Sequence, residues 1–272
     1  MLQSAMGDEP SVRSEASGLR GWLSDLLFTT LVHGPLAPLV LRLGGRSTID
    51  HPVHGRASGM PDVETLLVTA IGWLADRKAV YERRALVVGT DRDVAEGTLV
   101  LAGAGGEGEL RLPVAVVAER RKLREVELRV YHATRMLGSE PTKARERLVE
   151  KHKGPGAPLL VLDHLQALRA GDAKGVLACF ESNGVVHDAA GREHSSSDGS
   201  LVGYFAERFG VGEEGGGADF VHGGYADDGR ACAVELTLTS VRGKAVAPYP
   251  ALAVFERGDS GLFRALRLYE DP

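Results

Sequence analysis

Leu266-Arg267-Leu268-Tyr269 stands about 138 residues after Leu128-Arg129-Val130-Tyr131, and the same spacing recurs along the chain. Ser47-Thr48-Ile49-Asp50 lines up with Val185-Val186-His187-Asp188, and Val94-Ala95-Glu96-Gly97-Thr98-Leu99 with Ala233-Val234-Glu235-Leu236-Thr237-Leu238. Pro113, Glu119 and Arg120 match Pro250, Glu256 and Arg257. An offset that hardly drifts means that one plan is used twice, each copy being a complete folding unit. Solenoid repeats are far shorter, about 20–50 residues.

Within each copy the hydrophobic pattern reads helices first and strands afterwards. Leu19, Trp22, Leu23, Leu26, Leu27 and Leu31 recur at helical spacing until Gly34-Pro35. A short helix over Leu36 to Leu43 ends at Gly44-Gly45. A strand to Asp50 follows, then a loop from His51 to Gly59 and a helix from Pro61 to Asp76, with proline early, where its missing N–H does no harm. Four β-rich runs complete the copy, at Ala79 to Val88, Val94 to Ala102, Glu109 to Glu119 and Leu123 to Ala133. The second copy begins with a helix over Leu159 to Ala170 and another through Lys174 to Phe180, and has a loop insertion at Gly210 to Gly217. This order predicts an α+β layout with an antiparallel sheet rather than alternating βαβ units. Residues 1–17 read as a loose tail, 18–138 and 159–272 as the two domains, and 139–158, with Lys151-His152-Lys153-Gly154-Pro155-Gly156, as the linker.

Composition narrows the function. A chain of 272 residues suits two domains that each bury a core. Apolar stretches such as Leu36 to Leu43 fall short of the roughly 18 residues of a membrane span, and no signal-like apolar run opens the chain, so a cytoplasmic, membrane-free protein is expected. A net charge of −5 with interspersed signs argues against nucleic acid as a partner, and Glu119-Arg120-Arg121-Lys122-Leu123-Arg124 reads as a solvated turn. Cys179 and Cys232 read as structural thiols. Gly103 to Gly108 and Gly215 to Gly217 lack the phosphate-loop Lys-Ser/Thr and read as hairpin turns.

The second copy resembles the ketosteroid isomerase and SnoaL-like polyketide cyclase branch of the nuclear-transport-factor-like fold. The matching stretch runs from His164-Leu165-Gln166-Ala167-Leu168-Arg169-Ala170-Gly171-Asp172 through Val176 and Phe180 to Val186-His187-Asp188-Ala189-Ala190-Gly191. The resemblance implies two cone-shaped domains, each a curved sheet wrapped around helices, paired as an intramolecular pseudo-dimer within a monomer or homodimer. It implies a cofactor-independent isomerase, cyclase or lyase that abstracts a proton from a small apolar carbonyl compound. A non-catalytic binding or association module is the alternative, and epoxide hydrolysis a third reading.

By the same resemblance, Asp188 falls where the isomerases keep the proton-abstracting carboxylate, whose pKa an apolar cone raises modestly; the other reading is an Asp that ends a strand and turns the chain. His164 takes the place of the tyrosine that donates to the oxyanion, against the alternative of a packed core histidine. The family's second oxyanion donor has no counterpart in the apolar Pro250-Ala251-Leu252-Ala253-Val254-Phe255. In the first copy Asp50 keeps the carboxylate position while Leu26 replaces His164. His51 and His54 read as a polar rim rather than a metal site, and no metal or other cofactor is expected. His187, Glu235, Phe255 and Tyr204 are the candidate substrate-binding residues. Glu96 and Glu235 hold matching positions; Glu235 either joins Asp188 in epoxide chemistry or sits on the outer sheet face, pairing with Arg242 or solvent.

Overall fold

The computed structural model describes residues 22–103, 108–122, 125–138 and 156–271, so the expected tail and most of the expected linker lie outside the described residues. The first half runs α1 (Leu23–His33), α2 (Ala37–Arg42), β1 (Thr48–His51), β2 (Gly55–Ser58), α3 (Met60–Asp76), β3 (Val80–Val88), β4 (Arg92–Ala102), β5 (Glu109–Lys122) and β6 (Glu125–Tyr131). The second runs α4 (Leu159–Ala170), α5 (Ala173–Ala178), β7 (Phe180–His187), β8 (Glu193–Ser195), α6 (Ser200–Phe209), β9 (Ala218–Asp227), β10 (Ala231–Val241), β11 (Lys244–Arg257) and β12 (Phe263–Glu270). Each half builds its own six-stranded sheet, ordered β2-β1-β6-β5-β4-β3 and β8-β7-β12-β11-β10-β9.

The sheets are mixed, which corrects the expectation of a wholly antiparallel one. β1 lies parallel to β6, with Ile49 opposite Leu128, and β7 lies parallel to β12, with Val186 opposite Leu266. The chain leaves β1, makes a helix and four strands, and returns alongside in the same direction; only such a long connection permits a parallel neighbour. Two local readings also change. The segment from His51 to Gly59 is a hairpin whose second arm, β2, pairs antiparallel with β1. The helix expected through Phe180 stops at Ala178, because Phe180 already pairs with Phe263 and is buried in the core.

Alternation along the strands sorts their side chains between two surfaces. On β5, Val114, Val116 and Ala118 face inward onto α1 and α3, with Leu27, Phe28 and Leu67. Ala115 and Val117 point the other way. On β12, Leu266 and Leu268 face the second core with Val161, Phe205 and Phe255, while Tyr269 faces out. The two outer faces then bury each other: Val87, Val94, Ala115, Val117 and Tyr131 meet Ala226, Ala231, Ala233, Leu252, Val254 and Tyr269 in a third core. Beside it, Asp271 accepts from the backbone N–H of Thr134 at 2.9 Å and from its hydroxyl at 2.7 Å, tying the end of one half to the other.

Two glutamates sit inside this shared face, each held by the opposite half. Glu96 accepts from Arg267 at 2.7 and 2.8 Å and from the Tyr269 hydroxyl at 2.8 Å. Glu235 accepts from Arg129 at 2.5 and 2.6 Å, from the Tyr131 hydroxyl at 2.6 Å and from Arg92 at 3.0 Å. Burial alone raises the Glu235 carboxyl, yet the charge and hydrogen bonds of Arg129, with Arg92 and Tyr131, outweigh that and hold it below the ordinary value. Glu235 thus lies on the outer face and does not meet Arg242. That arginine pairs with Glu213, because the first half's sheet covers the face on which Glu235 sits.

A buried charge that loses its partner is costly, by about 3–5 kcal/mol, because a guanidinium remains in a dry interface. Glu235→Gln is therefore expected to lower unfolding free energy by that amount in denaturant titration, against less than about 1 kcal/mol for Glu213→Gln at its exposed pair. Because the folded pKa of Glu235 is depressed, its contribution is present above the ordinary value of 4.5 and is lost as pH falls through the folded value. Equal destabilisation by the two variants, or an unchanged acid limb in Glu235→Gln, contradicts this account.

Candidate functional site

The second cone holds His164 where the first holds Leu26, and Glu270 where the first holds His132. Its geometry starts at Ala170-Gly171-Asp172. Gly171 ends α4 in the left-handed region, φ 67°, a conformation that needs no Cβ. Asp172 then caps α5, accepting from the Lys174 N–H at 3.0 Å. This tight corner lays α4 across the sheet and turns His164 inward.

His164 is 1% exposed and meets Phe180, Phe205, Phe255 and Phe263 edge-on, at centroid distances of 5.5, 5.7, 5.5 and 5.8 Å. Burial lowers its pKa to about 4, against a backbone hydrogen bond at Val176 that acts upward. The ring is neutral near pH 7. Its Nδ1 has no partner among the described residues, so the single ring proton belongs on the nitrogen that faces the Val176 backbone, and Nδ1 is left as an open acceptor. That differs from the donor role implied by the family resemblance.

His164 and Phe255 line a small cavity of about 30 Å³, with Phe209, Phe220 and Leu268, and one carboxyl, Glu270, faces the same space. Glu270 continues the inward row Leu266, Leu268 at the end of β12 and is 5% exposed. Burial pushes its pKa above the ordinary value, although Arg208 donates to it at 2.9 Å. Tyr204 and Arg208, one turn apart on α6, neighbour Glu270 without lining the cavity, and the Tyr204 ring stacks on His194 at 4.5 Å. The Tyr204 hydroxyl is buried without a partner among the described residues, and burial, then Glu270, pushes its pKa well above 10.0, so it stays protonated. Arg208 also donates to Tyr249 at 2.7 Å.

Asp188 is not brought into that cavity. It lines a separate cleft with His187, between the halves. Its carboxylate accepts from the backbone N–H groups of Ala190 and Arg192, both at 2.9 Å, and from the Arg192 side chain at 2.8 Å. Burial acts upward on its pKa, but the Arg192 bonds and His194 outweigh it and the net direction is down. A strand-end turn built around a satisfied carboxylate is the local result. Asp50 is buried at the end of β1. His51 accepts through Nδ1 from the Val53 N–H at 3.1 Å and stands 4.6 Å from the His54 ring and 5.6 Å from that of His132. Among the described residues no group of three His, Cys, Asp or Glu has the arrangement of a metal site, and both cysteines are buried and free.

Glu270 stands where the first copy has His132, and nothing in the sequence motifs singles it out. The period-two row on β12 was the signal that could have found it, and the α6 pair Tyr204 and Arg208 carried the matching helical signal.

No protein-family profile matches the chain, and no curated protein matches it. Solved structures similar to it include an NTF2-like protein of unknown function from Cytophaga hutchinsonii, at 15% identity and TM-score 0.33, covering 42% of this chain and 88% of that one. A protein described as a polyketide cyclase, from Sinorhizobium meliloti, is 12% identical at TM-score 0.31, covering 39% and 90%. A protein of ketosteroid isomerase-like fold from Catenulispora acidiphila, in complex with trimethylamine, is 14% identical at TM-score 0.30, covering 38% and 79%. No helix among the described residues is long and apolar enough to cross a membrane.

The buried imidazole has a measurable signature. Unfolded, it titrates at the ordinary 6.5; folded, at about 4. Its contribution is full above pH 6.5 and is lost as pH falls through about 4, amounting to about 3 kcal/mol at about 1.4 kcal/mol per unit. His164→Phe should flatten the acid limb of the stability profile between those values. A profile that keeps its slope there places the titration elsewhere.

Proposed function

We propose that the second cone is a cofactor-independent proton-transfer site of the isomerase, cyclase or lyase type, acting on a small, mainly apolar carbonyl compound. The observation that carries this reading is Glu270: a carboxyl with a raised pKa facing an aromatic cavity that it shares with His164. A base poised toward neutrality is what proton abstraction next to a carbonyl requires.

In this mechanism the Glu270 carboxylate removes a proton from the carbon beside the carbonyl. The C–H electron pair becomes a carbon–carbon double bond, and the carbonyl π pair moves onto oxygen. The Tyr204 hydroxyl, buried and free to donate, hydrogen-bonds the developing enolate. Where the substrate carries a β,γ double bond the enolate is a dienolate, and protonated Glu270 returns its proton to the γ carbon as the oxygen pair re-forms the carbonyl and the remaining double bond shifts into conjugation with it; Arg208 holds the carboxyl in place between the two transfers. His164 Nδ1 accepts a hydrogen bond from an O–H or N–H of the substrate and so fixes its orientation. Phe209 and Phe220 move aside as the substrate enters, since about 30 Å³ holds about one water. Asp188 stays outside the chemistry. The halves are read as a duplicated unit, residues 18–138 and 159–272, of which the first serves as the packed partner.

The small cavity favours a second reading, in which the cone is a non-catalytic binding or association module. Deuterium exchange into the carbon beside the carbonyl, across a panel of small ketones, separates the two. The parent protein should catalyse exchange, Glu270→Gln should lower the rate by about 10²–10⁴-fold, and Asp188→Asn should change it by less than about tenfold. If ligands bind and no member of the panel exchanges, the module reading holds. If Asp188→Asn is the variant that loses exchange, Asp188 is the base.

A further inference from the structure

The two buried glutamates are near-equivalent, but the space around them is not. Opposite Glu235, β9 is irregular between the partners of Val234 and Leu236, and Gly223-Gly224 fill the gap. The guanidinium of Arg92 occupies the volume a side chain on Gly224 would take, 2.0 Å from an ideal Cβ. Opposite Glu96, the irregularity on β3 falls between Arg83 and Ala85, so the inserted residue is Arg84. The position that matches Arg92 is Ala231, since Arg92 pairs with Glu119 in one ladder as Ala231 pairs with Glu256 in the other. Alanine cannot reach across. A cleft of about 210 Å³ lies on this side between the halves.

Arginines dominate its walls. Arg84, Arg111 and Thr98 come from the first half; His187, Gly191 and Arg267 from the second. Arg267 is committed to Glu96 and Glu256, and Arg111 pairs with Glu82. The one acid in the wall, Asp188, is neutralised by Arg192 at 2.7 Å. Of the three arginines in the wall, Arg84 is the one without a carboxylate within ion-pair distance among the described residues. One of its N–H groups points to His187 Nε2 at 3.2 Å, an arrangement that suits only a neutral imidazole.

We propose that this cleft binds a small oxyanion, a carboxylate or a phosphate, anchored by Arg84. A guanidinium presents five N–H donors in a planar fork that matches two oxygens of such a group. One donor is used on His187, and the rest are available to the ligand. Arg111 supplies a second positive charge at the rim and Thr98 a hydroxyl. At about 210 Å³ the cleft is below the usual range for drug-sized ligands, about 300–1,000 Å³, which restricts it to molecules of few heavy atoms.

The test uses the full chain, titrated calorimetrically with sodium phosphate and separately with sodium succinate, at constant ionic strength balanced with chloride. At least one anion should bind saturably with one-to-one stoichiometry, and the His187 ring resonances should move along the same isotherm. Arg84→Ala, at an exposed position, should weaken that binding at least about tenfold while leaving the melting temperature unchanged. Glu270→Gln should bind as the parent does, which separates this site from the cone. Saturation by phosphate alone or by succinate alone identifies the headgroup. Saturation by neither, or parental affinity in Arg84→Ala, overturns the proposal.

Discussion

The crossed exchange of buried ion pairs is the constraint on which the arrangement depends. Each half supplies an Arg-Tyr pair from its last strand, Arg129 with Tyr131 and Arg267 with Tyr269, and each receives the other's pair on a glutamate of its second long strand. Hydrophobic contact between the sheets is non-directional and leaves many sliding registers nearly equal. Four charged groups 0–3% exposed do not, because a shift of one residue strands a carboxylate and a guanidinium without water. Register, angle and partner are fixed together, and with them the cleft that opens along one edge of the face.

Much of the layout was legible because it is local. The periodicity of Leu159 to Ala170 marks α4 to the residue, and the β-rich runs from Ala79 onward fall on strands. The parallel pairing of β1 with β6 was not legible, since it depends on where the chain returns after a long excursion. The two glutamates were seen as matching, but their partners come from the opposite half, and a single strand does not say what will cover its outer face. In the cone, His164 was legible as a residue of interest and its chemistry was not. Whether Nδ1 donates or accepts depends on the Val176 backbone, which α5 brings to the ring.

The halves share a plan and differ in what fills it. In the first cone, Leu99, Leu101, Leu112, Val114 and Leu128 pack against the helices. In the second, His164 interrupts the apolar lining and Glu270 closes the row that Leu266 and Leu268 begin. A carboxyl and an imidazole in such a place cost stability, as their displaced pKa values record. The rigid outer face tolerates that cost because the sheet is braced from behind by its twin.

The link between Asp271 and Thr134 has a consequence for topology. Asp271, just after the last strand of the second half, is bonded to Thr134, in the turn that follows the last strand of the first. This clamp adds to the sheet contacts, so the two halves hold each other by contacts that need no covalent bond between them. The grip of one half on the other thus runs through a dry face and a carboxylate clamp, and the covalent link between them is not what sets their register.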